Sequence, residues 1–225
     1  MPFHALVADY DGTLAHEGRV ASVTIDALAR ARAAGKRLIL VTGRPRDKLL
    51  GDFRQLELFD AVVLENGAVF YRAGTGEERL LGEPPPTCFS RELIRRGVPV
   101  DRLGAGRVMV YTWRPHEEIV ARTIRDLGLP HEVIFNKDAV MVLPPGIDKA
   151  AGLNVALEEL NLTGEETIAV GDAENDAQLL RVCGLGVAVA NATEGLRHQA
   201  DLVTEAARGA GVVELIDRWL CGGLD

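Results

Sequence analysis

Cysteine is scarce in this chain: Cys88, Cys183 and Cys221 are the only three in 225 residues. Their odd number, wide spacing and lack of a Cys-x-x-Cys pair argue against a disulfide framework and against a cysteine zinc site. Three free thiols suit a reducing compartment, and a cytoplasmic location is expected. Basic residues are also in deficit, with 25 Lys and Arg against 33 Asp and Glu, a net charge of −8. That balance argues against a nucleic-acid or membrane-surface binder. No apolar run approaches the ~20 residues of a membrane span. Met1 is followed by a short strand-like segment, with no basic leader and long apolar stretch behind it. Internal repeats and low-complexity tracts are missing too.

What is present is alternation. The pattern predicts strands at Ala5–Ala8, Arg37–Val41 and Ala61–Leu64, with a helix from Ser22, as cap, to about Ala34 and another over Arg46–Gln55. Strands alternating with helices imply βαβ units and a parallel sheet. Asn66-Gly67 then signals a turn before a hairpin at Ala68–Arg72 and Arg79–Leu81. Beyond Lys149 the alternation resumes: helix 150–160, strand 167–170, helix 177–182, strand 186–189, helix 193–200, strand 202–203 and a closing helix 212–220.

Two proline clusters, Pro84-Pro85-Pro86 and Pro144-Pro145-Gly146, bracket the segment that breaks this rhythm. Inside the bracket the pattern predicts helix 90–96, strand 107–112, helix 115–127 and strands 132–135 and 139–143, a small α+β unit. The expected division is therefore residues 1–83 and 147–225 for the main α/β body and 84–146 for an insert. The insert carries nine Lys and Arg against seven Asp and Glu, so it is mildly basic beside an acidic body.

Three predicted strands end alike. Val7-Ala8 runs into Asp9-Tyr10-Asp11-Gly12-Thr13, Leu40-Val41 into Thr42-Gly43-Arg44, and Ala169-Val170 into Gly171-Asp172-Ala173-Glu174-Asn175-Asp176. Ligands of open α/β sheets bind at the carboxyl ends of the strands. Carboxylates converging there must be neutralised by protonation or by a cation. A hard divalent ion with oxygen ligands fits, and Mg²⁺ is the usual one beside phosphate. Thr42 supplies a hydroxyl and an N–H, and Lys149 a fixed positive charge at a helix start. A carboxylate nucleophile, a metal, a hydroxyl and a lysine together suit phosphoryl transfer.

These segments, in this order, resemble the four motifs of the haloacid dehalogenase (HAD) superfamily of phosphohydrolases. Asp9–Leu14 matches the first, Val41–Arg44 the second, Lys149 the third and Gly171–Asp176 the fourth. The resemblance runs from Phe3 to about Leu220. It implies a Rossmann-like parallel sheet core with helices on both faces, plus a small α+β cap inserted in the chain. An insert between the second and third motifs, together with Glu65-Asn66-Gly67-Ala68, is similar to the type IIB caps of Cof-like sugar-phosphate phosphatases. Its shortness resembles archaeal-type phosphoglycolate phosphatases.

By the same resemblance Asp9 is the nucleophile and a Mg²⁺ ligand. Asp11 is the general acid/base and touches the metal through its carbonyl. Thr42, Gly43, Lys149 and Asn175 bind phosphate, and Asp172 and Asp176 complete the metal set. Leaving-group specificity falls to Arg44 and Asn66 and to insert residues, with Arg114 and Asn136 foremost and Arg107, His116 and Lys137 as further candidates. Trp113 reads as core or insert surface rather than as a substrate platform. The expected partner is a small phosphorylated metabolite, with no nucleic acid and no membrane, acted on by a monomer or homodimer. The competing readings are a phosphomutase or phosphotransferase of the same superfamily, and a non-hydrolytic phospho-accepting signalling domain. The insert and the length weigh against the second.

Overall fold

A computed structural model describes residues 3–224. The chain opens with β1 (Ala5–Asp9), a small hairpin β2 (Ala15–His16) and β3 (Arg19–Val20), then α1 (Ser22–Ala33), β4 (Arg37–Val41) and α2 (Arg46–Asp52). It continues through β5 (Ala61–Leu64), β6 (Val69–Arg72), β7 (Glu77–Leu80) and α3 (Thr87–Arg95). Next come β8 (Gly104–Ala105), β9 (Val110–Trp113), α4 (Glu117–Asp126), β10 (Glu132–Asn136) and β11 (Ala139–Leu143). It closes with α5 (Lys149–Leu160), β12 (Thr167–Gly171), α6 (Ala177–Val182), β13 (Leu185–Ala188), α7 (Glu194–Arg197), β14 (Leu202–Val203) and α8 (Arg208–Leu220).

The main sheet has eight strands in the order β14-β13-β12-β1-β4-β5-β6-β7. From β14 to β5 every pairing is parallel, while β6 and β7 join antiparallel as a hairpin. Successive side chains serve opposite faces. Leu6, Ala8, Leu38 and Leu40 pack with Ala27, Leu28, Leu215 and Ile216 of α1 and α8. Val7, Ile39 and Val41 pack with Leu153, Ala156 and Leu179 of α5 and α6. Burial on both faces is why these strands read as continuous apolar runs.

A second sheet, order β10-β11-β9-β8, is antiparallel throughout. It carries α3 and α4 around a core of its own: Phe89, Leu93, Val110, Val120, Ile124, Val140 and Val142. No helix among the described residues is long and apolar enough to cross a membrane.

Several predicted elements shift. Ser22 is the first residue of α1, not its cap; Ala21 holds the cap position without a side-chain hydrogen bond. The strand predicted from Arg107 begins at Val110, because the amides of Arg107, Val108 and Met109 donate to the Glu65 carboxylate instead of to a strand partner. The helix predicted over Thr193–Ala200 is confined to Glu194–Arg197, and the chain turns so that the Asp201 amide donates to the Gly186 carbonyl. The β2–β3 hairpin has no counterpart in the sequence reading. Met1, Pro2 and Asp225 lie outside the described residues.

Candidate active site

Strand order reverses at β1: β4 and β5 lie on one side of it, β12 and β13 on the other. Such a switch point leaves a crevice beyond the strands' carboxyl ends. Asp9 is the last residue of β1, Thr42 follows β4 and Asp172 follows β12. The topology alone therefore gathers these three.

Asp9, Asp172 and Asp176 are buried and each offers a carboxylate oxygen within 4.8 Å of the others. Lys149, also buried, donates from Nζ to Asp9 Oδ1 and to Asp176 Oδ1, both at 2.6 Å. Asp176 Oδ2 accepts from the amides of Asp172 and Ala173 at 3.0 Å. Asp176 thus anchors both the lysine and the Asp172 loop. Gly12 permits this closeness: its φ of 92° favours glycine, and a Cβ there would strike the Asp172 carboxylate.

Three carboxylates face one buried ammonium, and the electrostatics follow. Burial, reinforced by Asp176, raises Asp9 to about 7 against the opposing pull of Lys149. Burial also raises Asp172, against Lys137. Lys149 is itself held protonated by Asp176 and Asp9, which outweigh its desolvation. A cluster of buried oxygen donors with excess negative charge fits a hard divalent cation.

In front of the cluster is a cavity of about 470 Å³. Asp9, Asp11, Gly43, Arg44 and Lys48 line the core side, and Met109, Tyr111, Trp113, Asn136 and Met141 the insert side. Arg44 forks onto Asp11 and reaches Asp52 at 2.6 Å. Those carboxylates hold its guanidinium protonated despite burial. From the insert, Lys137 donates to Asp172 Oδ2 at 3.1 Å.

Most of the sequence-predicted residues meet here, with corrections. Arg114 does not line the cavity; it pairs with Glu117 at 2.9 Å and covers the Phe135 ring. Arg107 pairs with Glu78, and His116 precedes α4. Asn66 does not line the cavity either, but accepts from Asn175 Nδ2 at 3.3 Å, and Asn175 Oδ1 stays buried without a partner. Thr42 offers only its hydroxyl, since its N–H donates to the Val63 carbonyl. The extended chain ends at Asp9, so Asp11 reaches the cavity from the following turn rather than along the same strand face. Trp113, assigned to core or surface from sequence, lines the cavity and meets Tyr111 edge-on at 5.4 Å. Lys48, Asp52 and Tyr111 were missed. For Lys48 the available signal was its place in the first turn of α2, the helix that follows Arg44.

Residues 6–78 and 116–216 match the haloacid dehalogenase-like hydrolase family. The chain belongs to that family. It is 31% identical over 219 residues to a phosphoglycolate phosphatase of Methanothermobacter thermautotrophicus, covering 96% of this chain and 98% of that one. Among solved structures, this hydrolase superposes on a haloacid dehalogenase-like hydrolase from Bacteroides thetaiotaomicron with TM-score 0.79 and 25% identity, covering 96% and 99% of the two chains. It shares the fold of a HAD subclass IIB sugar phosphatase, with TM-score 0.76, 22% identity and coverage of 96% and 98%.

Proposed function

We propose that this hydrolase is a Mg²⁺-dependent phosphatase of a small phosphorylated metabolite, working through an aspartyl-phosphate, with residues 84–146 as its cap. The observation that carries this is the buried Asp9, joined to Lys149 at 2.6 Å on one side and open to the cavity on the other.

Asp9, Asp172 and Asp176, with the Asp11 carbonyl, would hold the ion. When bound, it supplies positive charge that lets a phosphate approach the acid cluster. Asp9 attacks phosphorus through a carboxylate oxygen, and the bond to the leaving oxygen breaks. Asp11 gives that oxygen a proton, then takes one from a water that attacks the same phosphorus, releasing phosphate and restoring Asp9. Lys149 and the Thr42 hydroxyl offset the charge on the transferring group. The insert wall excludes bulk water during the reaction.

The relatives' names put phosphoglycolate first among substrates to try. Sugar phosphates stand beside it because Tyr111, Trp113 and the polar side chain of Asn136 line the cavity. Hydrolysis of p-nitrophenyl phosphate, phosphoglycolate and a panel of sugar phosphates, with and without EDTA, tests the reading. Activity is expected to vanish on chelation and in Asp9→Asn. Turnover that survives both overturns it.

A further inference from the structure

Glu65 lies outside this reaction, yet its carboxylate is buried and, among the described residues, no lysine or arginine side chain pairs with it. Oε1 accepts from the Arg107 amide at 2.6 Å, and Oε2 accepts from Val108 at 2.9 Å and Met109 at 2.8 Å. A carboxylate of the core thus gathers three successive amides of the insert. Gly106 makes room, since a Cβ there would strike the same carboxylate.

The turn that carries Glu65 is strained. Glu65, Asn66 and Gly67 have φ of 52°, 56° and 106°, so two residues with side chains sit in left-handed backbone. Such strain persists only where the surroundings over-determine it. Here they do. The Glu65 amide donates to the Arg44 carbonyl at 3.2 Å and the Asn66 amide to the Thr42 carbonyl at 2.9 Å. A Cβ at Gly67 would collide with the Asp148 carbonyl, just before Lys149. The three clamped amides lead directly into β9; Met109, the last of them, lines the cavity together with Tyr111 and Trp113 of β9.

We propose that Glu65 is a positioning residue that fixes the substrate-facing wall of the insert against the Thr42–Arg44 segment and the start of α5. Apolar packing would join two units without burying a carboxylate. Three amides on one carboxylate fix direction as well as distance. The insert therefore turns about this point instead of lifting away from it. This inference rests on the phosphatase reading for its kinetic consequence.

The test uses Glu65→Gln and Gly106→Ala in the full chain. The glutamine replaces one acceptor oxygen with an NH₂ that faces backbone donors, and the alanine crowds the clamp from the loop side. Hydrogen exchange at Arg107, Val108 and Met109 is expected to quicken about tenfold or more, while β1 and β12 keep their protection. KM for p-nitrophenyl phosphate, whose ring reaches the wall, is expected to rise about tenfold. Acetyl phosphate, whose leaving group is too small to reach it, is expected to stay within about twofold. Equal losses on both substrates, or an unchanged KM with unchanged exchange, overturn the proposal. If Glu65→Gln fails to fold, Gly106→Ala decides by the same split, and failure of both to fold assigns Glu65 to the scaffold and overturns it. Wild-type turnover independent of Asp9 would instead sink the phosphatase reading, and the exchange at residues 107–109 would still decide the clamp.

Discussion

Arg44 grips Asp11 with both arms of its guanidinium: Nε donates to Oδ2 and Nη2 to Oδ1, each at 2.7 Å. A paired fork of this kind fixes the plane of the carboxylate as well as its place. Arg44 is itself held by Asp52 and lies over the Tyr10 ring at 5.0 Å. The proposed proton carrier is thus aimed before substrate arrives.

Lysine at this position keeps the charge and loses the fork. Arg44→Lys is expected to lower kcat by about tenfold to a hundredfold, within the range that general acid–base catalysis contributes. The fall is expected to be steeper for an alkyl phosphate than for p-nitrophenyl phosphate, whose leaving oxygen needs no proton. Steady-state kinetics on the two substrates check it, and equal losses would detach Arg44 from proton transfer.

Asp9 links stability to pH. Its folded value of about 7 lies above the unfolded 3.8, so the folded state holds this proton more tightly. The resulting stabilisation is complete below 3.8 and is lost as pH rises through about 7. Asp172 is raised as well and acts in the same direction. Metal-free protein is therefore expected to melt at a higher temperature at pH 5.5 than at pH 8. Mg²⁺ is expected to raise the melting temperature at pH 8 and much less at pH 5.5, where protons compete for Asp9. Thermal melts at the two pH values, with EDTA or Mg²⁺, check this; an equal gain at both contradicts it.

Much of this was legible in the sequence, for a physical reason. Parallel strands buried on both faces announce themselves as apolar runs, and Arg37–Val41 and Ala61–Leu64 fall where the runs do. Asp9, Thr42 and Asp172 stand at strand ends, so topology brings them together once the strands are placed. What stayed hidden depends on tertiary direction. Nothing in the local pattern says that Glu65 reaches 42 residues ahead to Arg107, or that its pull delays the next strand to Val110. Arg114 and Trp113 are neighbours in a strand-end segment, and alternation alone does not tell which one faces the cavity. The structure chose the tryptophan, while Arg114 went to Glu117.

Lys149 is a charge that cannot be removed cheaply. It is buried against Asp9 and Asp176, and truncating one partner of such a cluster strands the other charges. Lys149→Met is expected to destabilise the metal-free protein by about 3–5 kcal/mol. Chemical denaturation in EDTA measures the loss. Mg²⁺ is expected to restore part of it by taking over the charge balance, while phosphatase activity stays lost. Wild-type stability in EDTA would show that the carboxylates neutralise themselves by protonation alone.

Lys137 reaches Asp172 from the insert at 3.1 Å, but its side chain is 56% exposed. An exposed ammonium interacts weakly, typically by ~0–1 kcal/mol, and water screens it. It nonetheless contacts a carboxylate of the candidate metal site, so a cation entering there competes with it. Lys137→Met is therefore expected to tighten Mg²⁺ binding by about two- to fivefold, the equivalent of the weak pair it removes. Titration calorimetry without substrate isolates this effect. Weaker binding in the variant would mean that Lys137 organises Asp172 for the ion rather than competing with it, and the sign of the change distinguishes the two.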